Sequence, residues 1–172
     1  LLKELKGLVY LSIMAYIQTT SFGPTQTIIS KWNVTGQKEW SFGIDATGHL
    51  HYTLSDNVDS CIVTGTTAMT ADSWHHVAVV YTKASAVGSA DDDVTFYIDG
   101  VADTHDNYDC SAYGGMSDLT GPLSIGGRYN STGPINATPF FGDIGQWAVT
   151  SNELTADQVL KSYNTTRQFY GL

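Results

Sequence analysis

The sequence predicts an all-β protein, a two-sheet antiparallel jelly-roll sandwich closed by one short C-terminal helix. Three observations carry this. Apolar and polar residues alternate with period two in run after run, the runs are short and bounded by Gly, Asp, Asn and Ser, and charged residues make up only 15% of the 172. Alternation half-buries a strand, β-branched and aromatic residues suit the pleated surface, and closely spaced turn residues favour hairpins over helical crossovers. With 42% hydrophobic residues and no internal repeat or linker, residues 1–172 read as a single domain able to bury a sizeable core.

The first strand is expected in "LVYLSIMAYIQ" (8–18). Its apolar stretch, 7–17, is too short for a membrane span, which takes about 20 residues. Lys3 and Lys6 precede it as in a secretion leader, but it alternates and lacks a small-residue cleavage site, so it reads as a strand. Leu1, in place of an initiating methionine, reads as the start of a fragment or processed form. "TQTIISKW" (25–32) follows, then "EWSFGID" (39–45) and "HLHYTLS" (49–55), joined by the glycine-containing turn Ala46-Thr47-Gly48. "SCIVTGT" (60–66) and "WHHVAVVYT" (74–82) come next. "VTFYI" (94–98) enters Asp99-Gly100, a pair suited to a type I′ hairpin, and continues as "VADTH". The last strands are "PLSIGG" (122–127) and "FFGDIGQWAVT" (140–150). The helix is expected in "ELTADQVLKSYN". Ala156, Val159, Leu160 and Tyr163 form one apolar stripe, Thr155 and Gln158 form a capping box, and Asn164 is a stop.

Charge narrows the partners. The net charge is −9 with eight Lys and Arg in the whole chain, which argues against nucleic acid and an anionic membrane surface, and no segment is fit for membrane insertion. Cys61 and Cys110 are not spaced as a metal knuckle, leaving one disulfide or two buried thiols; the bridge is the preferred reading. Four sequons, at Asn33, Asn130, Asn136 and Asn164, permit glycosylation on a eukaryotic secretory route.

At this point "WHHVAVVYTK", "VTFYIDGV", "PLSIGGR" and "FFGDIGQWAVTSNELTADQV", in this order, resemble the laminin-G-like domains of the concanavalin A-like lectin/glucanase superfamily. The likeness extends back through "TIISKWN" and "WSFGIDATGHLHYTL". It implies two curved antiparallel sheets packed face to face and an extracellular binding module. It also makes His75 and His76 framework residues and puts Trp74 and Trp147 at core positions. Two departures stand out. The family commonly carries an aspartate where Gly145 follows Ile144, and it usually has an apolar strand upstream of "LVYLSIMAYI". That first strand is expected to be missing here, leaving a sheet edge for upstream residues or a neighbouring subunit to cover.

Catalysis is not expected. A retaining glycosidase needs two carboxylates about 5 to 5.5 Å apart. The three glutamates, Glu4, Glu39 and Glu153, have no acidic partner at strand spacing, and nucleophile-elbow and phosphate-loop motifs are absent. Asp91, Asp92 and Asp93 supply the hard oxygen ligands of a candidate calcium loop, the one cofactor the sequence allows, with a solvated turn as the plain alternative. Alternation sends His75 and His76 to opposite faces, whereas His49 and His51 share one, without a visible third metal ligand. Candidate sugar-binding side chains come from the loops 104–118 and 126–133: Tyr108, Tyr113 and Tyr129 for stacking, and Asn107, Arg128 and Asn130 for hydroxyl hydrogen bonds, with the His49/His51 face beside them. The sequence thus reads as a non-catalytic extracellular carbohydrate-binding or adhesion module with a glycan or glycoprotein partner. The second reading is a structural surface, decoration or fibre domain of a virus (phage) or other large assembly. A glycosidase-related domain is the third.

Overall fold

The computed structural model describes residues 10–83, 93–106, 110–130 and 133–172. Its strands are β1 (Tyr10–Thr19), β2 (Gln26–Asn33), β3 (Gln37–Ile44), β4 (His49–Ser55), β5 (Ser60–Ala68), β6 (Trp74–Thr82), β7 (Val94–Ile98), β8 (Val101–Asp103), β9 (Leu123–Ile125), β10 (Arg128–Asn130), β11 (Gly133–Ala137) and β12 (Gly142–Thr150). One helix, α1 (Ala156–Thr166), follows them. The back sheet has the order β12-β1-β6-β7-β8, and the front sheet β11-β10-β2-β3-β4-β5 with β9 also against β2. Pairing is antiparallel except where Tyr129 of β10 meets Asn33 of β2 in parallel. This is the expected two-sheet sandwich with one short C-terminal helix.

Alternation builds the core. Leu11, Ile13, Ala15 and Ile17 of β1 and Val77, Val79 and Tyr81 of β6 meet Trp40, Phe42 and Ile44 of β3 and Leu50, Tyr52 and Leu54 of β4 in one buried cluster. Phe42 stacks on Phe96 across the two sheets at 6.4 Å between ring centroids. Each such side chain stabilises the fold by about 1.5–3 kcal/mol of apolar burial. Asp99 and Gly100 sit at φ 51° and 79°, as a type I′ hairpin requires. The Asp99 carboxylate further accepts the backbone N–H of His76 at 2.8 Å and binds Nδ1 of His75 at 2.9 Å. His75 and His76 thus leave opposite faces of β6, and His75 is spent on the turn.

Cys61 and Cys110 form the disulfide. It closes a loop of 49 residues, worth roughly 4 kcal/mol in the chain-entropy account. The capping box of α1 is present in both directions, with Thr155 accepting from the Gln158 backbone and Gln158 accepting from that of Thr155. Asn164 does not stop the helix; it runs to Thr166 and continues as a 3₁₀ turn, Arg167–Tyr170, ended by Gly171 at φ 74°. Of its apolar stripe only Val159 is fully buried, against Ala78, Val80 and Tyr97 on the outer face of the back sheet.

Two tryptophans stand elsewhere than expected. Trp74 shares the outer face with His76 and packs 4.8 Å from the Tyr170 ring, and Trp147 is 42% exposed on β12. Both miss the core because β12 is the last strand of its sheet and the face of β6 that carries Trp74 looks towards the helix.

The departure at Gly145 has a physical cause. Between the pairs Ala15–Trp147 and Ile17–Ile144 the register slips, so Tyr16 faces both Gly145 and Gln146. Such a bulge leaves a backbone N–H without a ladder partner. Here the Tyr170 hydroxyl accepts it from Gln146 at 2.7 Å. The Tyr170 ring stacks on Tyr16 at 3.9 Å and fills the place of a side chain at 145, where a Cβ would lie 2.6 Å from the ring. Gly145→Asp should therefore expel Tyr170 and lower stability by about 1–3 kcal/mol, the usual range for overpacking. A urea midpoint equal to that of the unaltered protein, with unchanged protease resistance of the C-terminal turn, would contradict this account.

Candidate functional site

The outer faces of the two sheets differ. That of the back sheet lies under α1 and the 3₁₀ turn. A crevice of about 240 Å³ remains between them, lined by Met14, Tyr16, His76, Gln146, Ser162 and Thr166 among others.

The front sheet instead carries a hydroxyl-lined platform centred on Arg128. From β10 its side chain reaches across β2. Nε donates to Ser41 Oγ on β3 at 3.1 Å, and Nη2 donates to Thr53 Oγ1 on β4 at 3.3 Å. The guanidinium lies 4.4 Å from the ring centroid of Trp32, which is buried yet outside both core clusters. Thr53 is also 3.3 Å from Nε2 of His51, while Ser41 is 3.3 Å from Thr27 Oγ1, itself 2.7 Å from Thr138 Oγ1. Nδ1 of His51 is a buried atom with no hydrogen-bond partner among the described residues.

The two halves of the expected sugar site fare differently. Arg128 and His51 come together through Thr53. Alternation puts Asn130 on the same side of β10 as Arg128 and sends Tyr129 to the opposite side. His49 shares the face but turns to its own hairpin, with Nδ1 2.8 Å from Thr47 Oγ1 and 3.4 Å from Asp45. Tyr113 is a correction: it is 2% exposed within the core and offers no ring to a ligand. The reason is that the described part of its loop is a strap. Cys110 is bridged, Met116 is buried, and the Asp56 carboxylate and carbonyl take Gly114 N–H and Ser117 Oγ at 2.9 Å each. A buried Lys31–Glu39 ion pair then grips Leu119, Lys31 donating to its carbonyl at 2.7 Å and Glu39 accepting its N–H at 2.9 Å.

Asn107, Tyr108, Asp91 and Asp92 lie outside the described residues. Asp93 is buried, and its carbonyl accepts the Thr82 N–H at 2.8 Å. Among the described residues no three of His, Cys, Asp and Glu converge on one point. Strand β10 falls where a loop was expected, 126–133, and β11 begins at the last residue of that stretch. Three polar residues carry no alternation to betray a strand, and their pairing is supplied by the edge of β2.

A family model, Laminin G 3, described as the concanavalin A-like lectin/glucanases superfamily, matches residues 5–160. No curated protein sequence matches the chain. Among solved structures it is similar to the CBM40 module of an IT-sialidase from Ruminococcus gnavus bound to α2,3 sialyllactose, at 17% identity and TM-score 0.66, covering 93% of this chain and 85% of that one. It is also similar to a heptameric SAP-like pentraxin from Limulus polyphemus, at 17% identity and TM-score 0.64, covering 91% and 70%. A third is domain 4 of an extracellular arabinanase from Geobacillus stearothermophilus in complex with arabinotriose, at 16% identity and TM-score 0.57, covering 91% and 68%. At these identities the likeness is one of fold.

Burial holds two imidazoles neutral, one on each outer face. His51 is pushed down to about 4, chiefly by desolvation and then by the Arg128 charge; His76, packed against Tyr16 and Tyr163, is pushed down to about 4 by desolvation. An unfolded histidine titrates near ~6.5. Between these values the unfolded chain binds more protons, so stability is full above about pH 6.5 and is lost as pH falls towards 4. Urea unfolding across pH 4 to 7 should show this slope, and replacing His51 by Asn should remove part of it. A flat profile in the unaltered protein would overturn the assignment.

Proposed function

We propose that this chain, which belongs to the laminin-G-like family of the concanavalin A-like lectin/glucanase superfamily, is a non-catalytic carbohydrate-binding module. The observation that carries the reading is the platform on the front sheet: a guanidinium and an imidazole fixed among Ser41, Thr53 and Thr27 hydroxyls, on a rigid sheet rather than a loop. Sugars are recognised by a few precisely placed polar groups, here the partly exposed guanidinium and imidazole. The carbohydrate ligands of the Ruminococcus gnavus and Geobacillus stearothermophilus modules support the class of ligand.

A non-catalytic role is supported by the carboxylates. Glu39 is fully buried in its pair with Lys31 and held protonated more readily than an exposed carboxyl by that burial, while Glu153 is exposed at the far side, just before α1. The Glu39 carboxylate, which also feels the charge of Asp118, is spent on Lys31 and the Leu119 N–H rather than turned to a substrate. The disulfide suits an oxidising compartment, hence an extracellular or virion-surface location. Calcium at Asp91–Asp93 belongs to the same proposal. A glycan array in calcium-containing buffer should give specific hits, and Arg128→Ala should reduce them at least tenfold while His49→Ala leaves them nearly unchanged. No hit at all would count against the module reading.

A second reading rests on β12. Among the described residues it has a strand partner, β1, on one side only, and Phe141 and Trp147 beside that edge are 41% and 42% exposed. An open edge with exposed aromatics is a template for strand pairing. A neighbouring subunit covering it would make the chain a building block of a larger assembly. Light scattering at high micromolar concentration should then give a mass above 18.6 kDa; a stable monomer would count against strand sharing.

A further inference from the structure

Arg128 is anomalous among the cations that pack against the sandwich. Lys31, more deeply buried, has its charge met by Glu39. Arg167 lies 5.5 Å from the Tyr163 ring at the exposed C-terminal turn. Arg128 is largely withdrawn from water, and the loss of hydration is what destabilises its charge, yet every described hydrogen-bond partner is a neutral hydroxyl. No carboxylate lies within ion-pair distance of it among the described residues. Asp45, which acts on His51 of this face, is committed to its own turn, accepting from Thr47 N, Thr47 Oγ1 and His49 N at 2.8, 2.8 and 3.0 Å.

The fork geometry leaves a specific vacancy in hydrogen bonding. Ser41 and Thr53 occupy one N–H of Nε and one of Nη2, and Trp32 covers one face of the plane. Nη1 has no partner among the described residues. A guanidinium clamped on two sides in a fixed orientation is preorganised for a planar, bidentate anion. Fixing it by hydroxyls rather than by a carboxylate keeps its full positive charge available.

Resting on the reading of this face as a glycan site, we propose that the ligand is an acidic sugar, whose carboxylate pairs with the free edge of the Arg128 guanidinium. A sulfated polyanion fits less well. Such chains bind through many cations with a steep salt dependence, and this molecule has eight Lys and Arg against 17 Asp and Glu. Recognition is therefore a short-range event at one charge. Moderate salt screens the general repulsion of an acidic protein for an acidic ligand and leaves the pair largely intact.

The test compares ligands on the unaltered protein, so that it does not depend on the folding of a variant. Saturation-transfer NMR and calorimetry would be run with 3′-sialyllactose, a glucuronate-terminated disaccharide, the methyl ester of each, lactose and heparin fragments. The acid form of at least one of the first two should bind at least tenfold more tightly than its ester, and which of them does so identifies the source of the carboxylate. Arg128→Gln should bring acid and ester to equal affinity, and Arg128→Lys should retain part of the preference. Equal affinity of acid and ester for the unaltered protein would overturn the acidic-sugar inference while leaving the glycan module standing. Heparin binding more tightly than any monocarboxylate would overturn it as well. Absence of binding to every sugar would overturn both.

Discussion

Strand alternation, sealed on one side by the opposing sheet, is the constraint from which the rest of this molecule follows. A residue at one parity must enter the dry space between the sheets, and its neighbour must leave it. The rule separates His75 from His76 and aligns Trp40, Phe42 and Ile44 inward. It also brings His51 and Thr53 onto the outer face, where Arg128 can reach them. A shift of one residue in β4 would put Leu50 and Tyr52 into water and draw His51 into the core. The polar platform is thus specified as firmly as the apolar core, because one cannot move without the other.

The segment 110–122 shows how charge is used where hydrophobic burial cannot act. A strap lying across a sheet has backbone groups that need partners, and water is excluded from several of them. The Lys31–Glu39 pair meets this need with both its charges, holding the N–H and the carbonyl of one residue, Leu119. Burying two ions is costly, and an ion pair contributes little net stability for it. What the pair gives instead is position: the strap lies in one place, with Cys110, Tyr113 and Met116 driven into the core beneath it. The same anchoring puts the Tyr113 ring out of a ligand's reach.

The two outer faces are finished differently. On the back sheet a bulge in β12 would expose a backbone donor. Gly145 leaves room for Tyr170 to accept it and to stack on Tyr16, while α1 covers Ala78, Val80 and Tyr97. The glycine that departs from the family pattern is therefore matched to a tyrosine 25 residues later in the chain. On the front sheet the Arg128 side chain takes the place of a helix, and the outward hydroxyls of Ser41 and Thr53 are buried beneath a partly exposed guanidinium.

Much of the fold was legible in the sequence. Period-two runs located ten of the strands, Asp99-Gly100 announced its hairpin, and Thr155 with Gln158 announced the helix start, since these signals are local and act within a few residues. The strands β10 and β11 were not legible, because the three polar residues of β10 acquire strand geometry from the edge of β2, and β11 from its pairing with β10. The site was half legible. Arg128, Asn130 and His51 were candidates by residue type, and alternation told that His51 faces outward. That Tyr113 belongs to the core, that Trp32 lies under Arg128, and that Thr53 joins Arg128 to His51 depends on contacts between distant segments, 49 positions apart at the Cys61–Cys110 bridge and 75 between Thr53 and Arg128. Sequence determined which faces each strand would have; only the packing of distant segments decided what those faces would meet.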